Sequence, residues 1–508
     1  MSSGGELAGN FLQSKKAHGA VKKKLEWIAA KHAFVLAAVL FVGAALRMYG
    51  LDNGLWYDEI VTLIESTRPP LREIVTHFPS NNDHLLYSVL GHLSIGIFGE
   101  HAWSLRLPSF VFGMLSLPLV YILGVGITNR FEASAAAAFL AISYHHIWFS
   151  QNARGYTILL FCALLATHLL VRGLKTNRRS DFVAFALVTA LAAYTHLTTV
   201  IVAVTQAFVV AAHLISSRNG RLSAGNWTNA AIGFALAGLL TVLLYLPLLS
   251  DVHAFFARPP ETKNVATAGW ALLETLKGLQ LGYMMGAGLL AGALVFAVGC
   301  WSYLRQSPTV LALFFAPPLV VPATAILLQR PTFPRFFFFA AGFALLVIMR
   351  GVVVISNWIA WPIGPQPLRV DLEQVLPILA FTGMAVVSVL ALPAGYRHPK
   401  QDYEGALNYI VTTIRPGELI GTVGSGTSYP FQKYYNRPWQ RLRTAAELET
   451  AERQYGTVWL FYTFERYIEA LEPEMMKAVR TNCVKVKIFR GTVAGGNIIL
   501  VKCGHPSL

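Results

Sequence analysis

Asp58 and Glu59 stand side by side in the stretch LWYDEIVTL, shortly after an apolar run that begins at His32. One carboxylate there can act as a general base, taking a proton from an incoming hydroxyl or amine. The pair can equally cap the helix DEIVTLIEST, whose N-terminal dipole favours acids. Trp56 and Tyr57 just before it are residue types that gather at membrane–water interfaces. Arg154 and Tyr156, in WFSQNARGYTILLF, lie where one apolar run ends and the next begins. A guanidinium and a phenol so placed can hold a phosphate; a lone arginine there can also simply snorkel. Arg335, in QRPTFPRFFFF, follows two prolines that stiffen its loop and aim its side chain. His84, in SNNDHLLYS, could orient a substrate or a carboxylate, and His145, His146 and His196 fall near the same face. A metal site needs three or four converging ligands, and no HExxH, paired CxxC or Walker loop occurs. No metal ligands are therefore assigned and no cofactor is required, while a need for a divalent metal stays open. Asp251 and Lys263 sit in the long loop SDVHAFFARPPETKNVATAGW, either an acceptor gate or a tether between spans.

The elements that must position these residues are membrane spans. Of 508 residues, 55% are hydrophobic and only 13% charged, and the mean hydropathy is +0.50, which excludes an ordinary soluble domain and a disordered polymer. Eleven spans are expected, at roughly 33–50, 104–127, 131–149, 155–172, 182–196, 198–215, 228–250, 284–304, 308–328, 336–355 and 374–392. Five lysines within residues 13–27 mark the segment 1–32 as cytoplasmic. Residues 83–98 read as an interfacial helix, because counting them as a span would throw the basic loops KTNRRSD and SSRNGR to the outside. With that parity the loops 51–103, 150–154, 197, 251–283 and 329–335 and the tail share the outer face. Asp58, Glu59, Asp83, His84, Arg154, Tyr156, His196, Asp251, Lys263 and Arg335 all fall there. The net charge of +15 suits anionic lipid head groups or a phosphate-bearing substrate. Nothing has the basic and aromatic patterning of a nucleic-acid binder.

From about residue 396 the character changes to alternating helical and strand patterns, a small α/β domain over 396–508. If CVKVKIFRG and NIILVKC form a hairpin, Cys483 and Cys503 fall almost opposite one another. They could then pair in an oxidising compartment, or remain two unpaired core cysteines.

In order along the chain, LRMYGLDNGLWYDEI, DHLLYSVLGHLSIGIFGEHAWSLRLPSFVFG, HIWFSQNARGYTILLFCALL, AYTHLTTVIVAVTQA, RPTFPRFFFFA and QDYEGALNYIVTTIRPGELI resemble the polytopic glycosyltransferases of the GT-C fold. The similarity is to the bacterial branch related to protein O-mannosyltransferases and to the lipid A aminoarabinose and galacturonic acid transferases. The resemblance implies a mainly α, polytopic transmembrane domain over 33–392, with interfacial helices in the outer loop 51–103. It implies transfer of a sugar from a polyprenyl- or dolichyl-phosphate donor to a glycan, lipid or protein acceptor on the outer, periplasmic side of the cytoplasmic membrane. Asp58 corresponds to the family's base, with Glu59 beside it. Arg154, Tyr156 and Arg335 correspond to groups that hold the lipid phosphate, and His84 to the family's histidine at the start of the second interfacial helix; His84 and, from its place on the same face, His196 are expected to orient the substrate. The chain departs from the family where His-Pro-Pro-Leu is replaced by His84, Leu85, Leu86 and Tyr87, where Gly155 stands for a proline, and where Phe336 follows Arg335 without a hydroxyl. A lipid-linked sugar flippase without chemistry and an envelope assembly scaffold are the rival readings, the first weakened by the scarcity of acids within the spans.

Overall fold

The computed structural model describes residues 33–78, 84–217, 224–258, 267–283, 286–361 and 368–504. The basic segment 1–32, Asp83 and Lys263 lie outside the described residues.

The protein is mainly α, a multi-pass membrane protein with a small C-terminal α/β domain. Eight described helices are long and apolar enough to cross a membrane: Ala102–Ile127, Tyr156–Thr176, Thr198–Ser216, Gly225–Ala257, Gly288–Gln306, Pro308–Leu327, Pro334–Ala360 and Asp371–Tyr396. Their outward faces carry large exposed apolar residues such as Phe208, Leu290 and Leu327, as helices bathed in lipid do. Of the other three expected spans, Ala33–Met48 is a shorter apolar helix and Arg179–Thr195 has 17 residues. Leu85–Phe98 is a helix of 14 residues, too short to cross unaided.

The expected span 131–149 is broken. A helix Arg130–Ile142 stops at Ser143, whose ψ of 120° is extended, and a new helix Tyr144–Ser150 begins with the Ser143 hydroxyl accepting from the His146 amide. The break is stable because the fully buried Arg47 fills it. Its guanidinium donates to the carbonyls of Ala141 (2.8 Å) and Leu140 (3.1 Å) and to Ser150 Oγ (3.2 Å). Carbonyls freed at a helix end are costly in an apolar interior unless they find such donors. Elsewhere the helices touch closely: a Cβ on Gly299 would meet the Val347 carbonyl oxygen at 2.1 Å, and one on Gly351 that of Val295 at 2.0 Å. Only glycine lets these two helices approach to that distance.

In the C-terminal domain, five strands stand in the order β2-β1-β3-β5-β4: β1 (Leu419–Val423), β2 (Gln440–Arg441), β3 (Val458–Tyr462), β4 (Cys483–Phe489) and β5 (Ile498–Cys503). The first three are parallel; β5 runs antiparallel to β3 and β4. β3 is apolar and buried along its length, as expected of a strand covered on both faces. β4 and β5 form the expected hairpin, with Cys483 opposite Cys503 and the two joined in a disulfide. β2 is too short to have left a sequence pattern.

Candidate active site

A cavity of about 1040 Å³ opens between the membrane helices, the first loop and the C-terminal domain. Its floor is set by a one-turn helix, Tyr57–Val61, that holds Asp58 and Glu59. This helix is tied at its start: Gln401 Oε1 accepts from the Tyr57 amide at 2.9 Å, and the Trp56 indole donates to Asn152 Oδ1 at 3.0 Å. The turn then sends the two carboxylates in different directions.

Asp58 lines the cavity and accepts from Arg335 Nη1 at 2.9 Å. Glu59 does not line it and is fully buried. Arg106 grips Glu59 with two hydrogen bonds, Nε to Oε1 at 2.8 Å and Nη2 to Oε2 at 2.6 Å, while the Ala153 amide (2.7 Å), Lys400 Nζ (3.3 Å) and the Trp56 amide (3.4 Å) complete its shell. Burial alone would favour the neutral acid. Arg106, then Lys400, overcome it and bring the Glu59 pKa down to about 2. Burial also draws Lys400 down to about 7, against the pull of Glu59. The expectation that Glu59 shares the catalytic position meets this geometry: its oxygens are sealed in ion pairs away from the space where a substrate fits.

Arg154, Tyr156, His196 and Arg335 all line the same cavity. Arg154 is buried and donates to Thr62 Oγ1 at 3.3 Å, with its guanidinium 5.8 Å from the Tyr156 ring centroid. Arg335 lies over the Phe333 ring at 4.5 Å. The Nε–H groups of both arginines are buried and without a hydrogen-bond partner among the described residues. His196 accepts at Nδ1 from the Thr198 amide, and burial, followed by Arg154 and Arg335, holds its pKa down to about 4. It is therefore a neutral imidazole at physiological pH.

His84 does not line the cavity. It is buried behind Tyr156, with ring centroids 4.8 Å apart, and 5.3 Å from the His196 ring. Burial first, then Arg154, keeps it well below the usual histidine range. Gly155 makes this placement possible, since a Cβ there would meet Thr195 Cγ2 at 2.5 Å and His84 Nδ1 at 3.0 Å. Asp251 also stays out of the cavity, accepting from the Phe78 amide at 3.0 Å and so tying two loops together.

Several partners escaped the sequence reading. Arg106 was findable, as a guanidinium inside the apolar helix Ala102–Ile127. Lys400 and Gln401 could not be assigned a partner from sequence, because they meet the first loop more than three hundred residues away in the chain. Among the described residues, Glu452, Cys483 and Cys503 lie as close together as metal ligands would, but the two sulfurs are already joined to each other.

Residues 85–245 match the family model described as dolichyl-phosphate-mannose-protein mannosyltransferase. Among solved structures, the chain is similar to ArnT from Cupriavidus metallidurans in the apo state, with a TM-score of 0.54 and 13% identity over 94% of this chain and 99% of that one. The fold is GT-C. A second GT-C structure, the same ArnT bound to undecaprenyl phosphate, gives 0.51 and 13% identity over 94% and 99% of the two chains. The apo oligosaccharyltransferase of Archaeoglobus fulgidus gives 0.53 and 14% identity, covering 89% of this GT-C chain and 73% of its own. No curated protein sequence matches the chain.

Proposed function

We propose that this protein is a glycosyltransferase that moves a sugar from a polyprenyl-phosphate donor to an acceptor hydroxyl or amine, with Asp58 as the base. The observation that carries this is the meeting of Asp58 and Arg335 at 2.9 Å on the cavity wall, which a second arginine, Arg154, also lines. The similar ArnT structure bound to undecaprenyl phosphate supports a donor of that class.

In the proposed step, Asp58 takes the proton of the acceptor O–H or N–H as that atom bonds to the anomeric carbon. The bond from the anomeric carbon to the phosphate oxygen breaks, and its electron pair leaves with the polyprenyl phosphate. The leaving group needs no proton; Arg154 and Arg335 neutralise the charge that grows on it, aided by the Tyr156 hydroxyl. A single base acting by direct displacement inverts the anomeric centre. Glu59 holds Arg106 and the first-loop helix in place instead of touching substrate. The Cys483–Cys503 disulfide supports an oxidising, outer-face location for the C-terminal domain and the cavity it covers.

The test is transfer from a panel of radiolabelled polyprenyl-phosphate sugars by purified protein in lipid, comparing wild type with Asp58→Asn. A loss of about 100-fold or more with donor binding retained establishes the base. Normal transfer by Asp58→Asn removes that assignment, and a wild type that binds donors yet transfers nothing favours the flippase reading.

A further inference from the structure

The cavity has two walls of opposite character. The wall made by the membrane domain presents Arg154, Arg330 and Arg335 against a single acid, Glu274. The wall made by the first loop and the C-terminal domain presents Asp58, Glu65 and Glu472 against a single guanidinium, Arg441. Asp58 and Arg335 meet at the seam. The first wall suits a phosphate. The second repels one.

The second wall is rich in groups that can both give and accept hydrogen bonds. Tyr57 hydrogen-bonds Ser425, Tyr429 hydrogen-bonds Glu65, and Tyr467 stands close to both Arg335 and Asp58. Arg441 Nη2 donates to Glu472 Oε1 at 2.7 Å, which leaves Arg441 Nε and Glu472 Oε2 buried and without a partner among the described residues. A part-exposed planar pair that keeps one unused donor and one unused acceptor can turn to meet two neighbouring hydroxyls, and tyrosine rings beside it can cover the apolar face of a sugar ring. Building on the function proposed above, we infer that the acceptor is an uncharged saccharide, held against the C-terminal domain by the Arg441–Glu472 pair so that one hydroxyl reaches Asp58. Donor phosphate and acceptor are thus sorted to opposite walls by charge, and the transferred sugar bridges the seam.

The experiment uses the full chain in lipid vesicles with radiolabelled polyprenyl-phosphate sugars and three acceptor probes: methyl glycosides, a phosphorylated glycoside and a short serine- and threonine-containing peptide. Methyl glycosides are expected to accept sugar. Arg441→Gln and Glu472→Gln are each expected to raise the glycoside KM by about 10-fold or more while kcat and donor KM hold. The double variant removes both charges, so no orphan ion is left to unfold the domain, and it is expected to show the same KM rise with an unchanged melting temperature. Transfer confined to the phosphorylated glycoside or the peptide, or an unchanged glycoside KM in all three variants, overturns the inference. If the enzyme hydrolyses donor in a reaction that Asp58→Asn abolishes but uses no methyl glycoside, the glycosyltransferase reading stands and this inference falls. If it neither transfers nor hydrolyses, the reading beneath it falls first.

Discussion

Asp58 and Glu59 share a helix turn, a charge and a side-chain chemistry, yet one faces a cavity of about 1040 Å³ and the other faces five fixed donors. The partners make the difference. Arg106, Lys400 and the Ala153 amide use up the lone pairs of Glu59, so its charge stabilises the fold and is unavailable to a substrate proton. Asp58 keeps Arg335 as a partner and remains open to the cavity. Sequence adjacency therefore says little about role: within one turn of helix one carboxylate faces the cavity and its neighbour is sealed in ion pairs.

The largest expected effect lies on the sealed side. Glu59→Gln leaves Arg106 buried without its counter-charge, a change expected to cost about 3–5 kcal/mol, read as a large drop in melting temperature of the purified protein in detergent. Should Glu59→Gln melt like wild type while losing transfer, the roles assigned to the two acids are reversed. Next comes Asp58→Asn, expected to keep its melting point while transfer falls about 100-fold, equivalent to about 2.7 kcal/mol of barrier. Arg335→Lys keeps the charge but loses the planar fork, and a rise of about 10-fold in donor KM is expected. The smallest effect is in pH. Glu59 has a folded pKa of about 2 against an ordinary 4.5, so its contribution is complete above pH 4.5 and is lost as pH falls towards 2. Acid titration of the melting temperature should show that loss in wild type and in Asp58→Asn but a flatter profile in Glu59→Gln.

Most of the architecture was legible because lipid imposes simple rules on sequence. Apolar length marks the helices, a continuous apolar run marked the buried β3, and strand patterns bounded by turns marked β1, β4 and β5 together with the hairpin that brings Cys483 to Cys503. The break at Ser143 was not legible, because the donor that stabilises it, Arg47, comes from a different helix. At the site, sequence pointed to Asp58, Arg154, Tyr156, His196 and Arg335, which the fold brings to one cavity. It could not separate Asp58 from Glu59, nor place His84 behind Tyr156, since both depend on side chains that arrive from distant segments.

The tie between Gln401 and the Tyr57 amide, with Lys400 beside Glu59, makes the short segment that follows the last membrane helix part of the cavity floor. A chimera that grafts a foreign C-terminal domain at residue 403 keeps those two side chains, whereas one joined at 397 discards them and with them the fastening of the Asp58 helix. Module boundaries for engineering this protein thus fall after Gln401, several residues beyond the point where the last membrane helix ends at Tyr396.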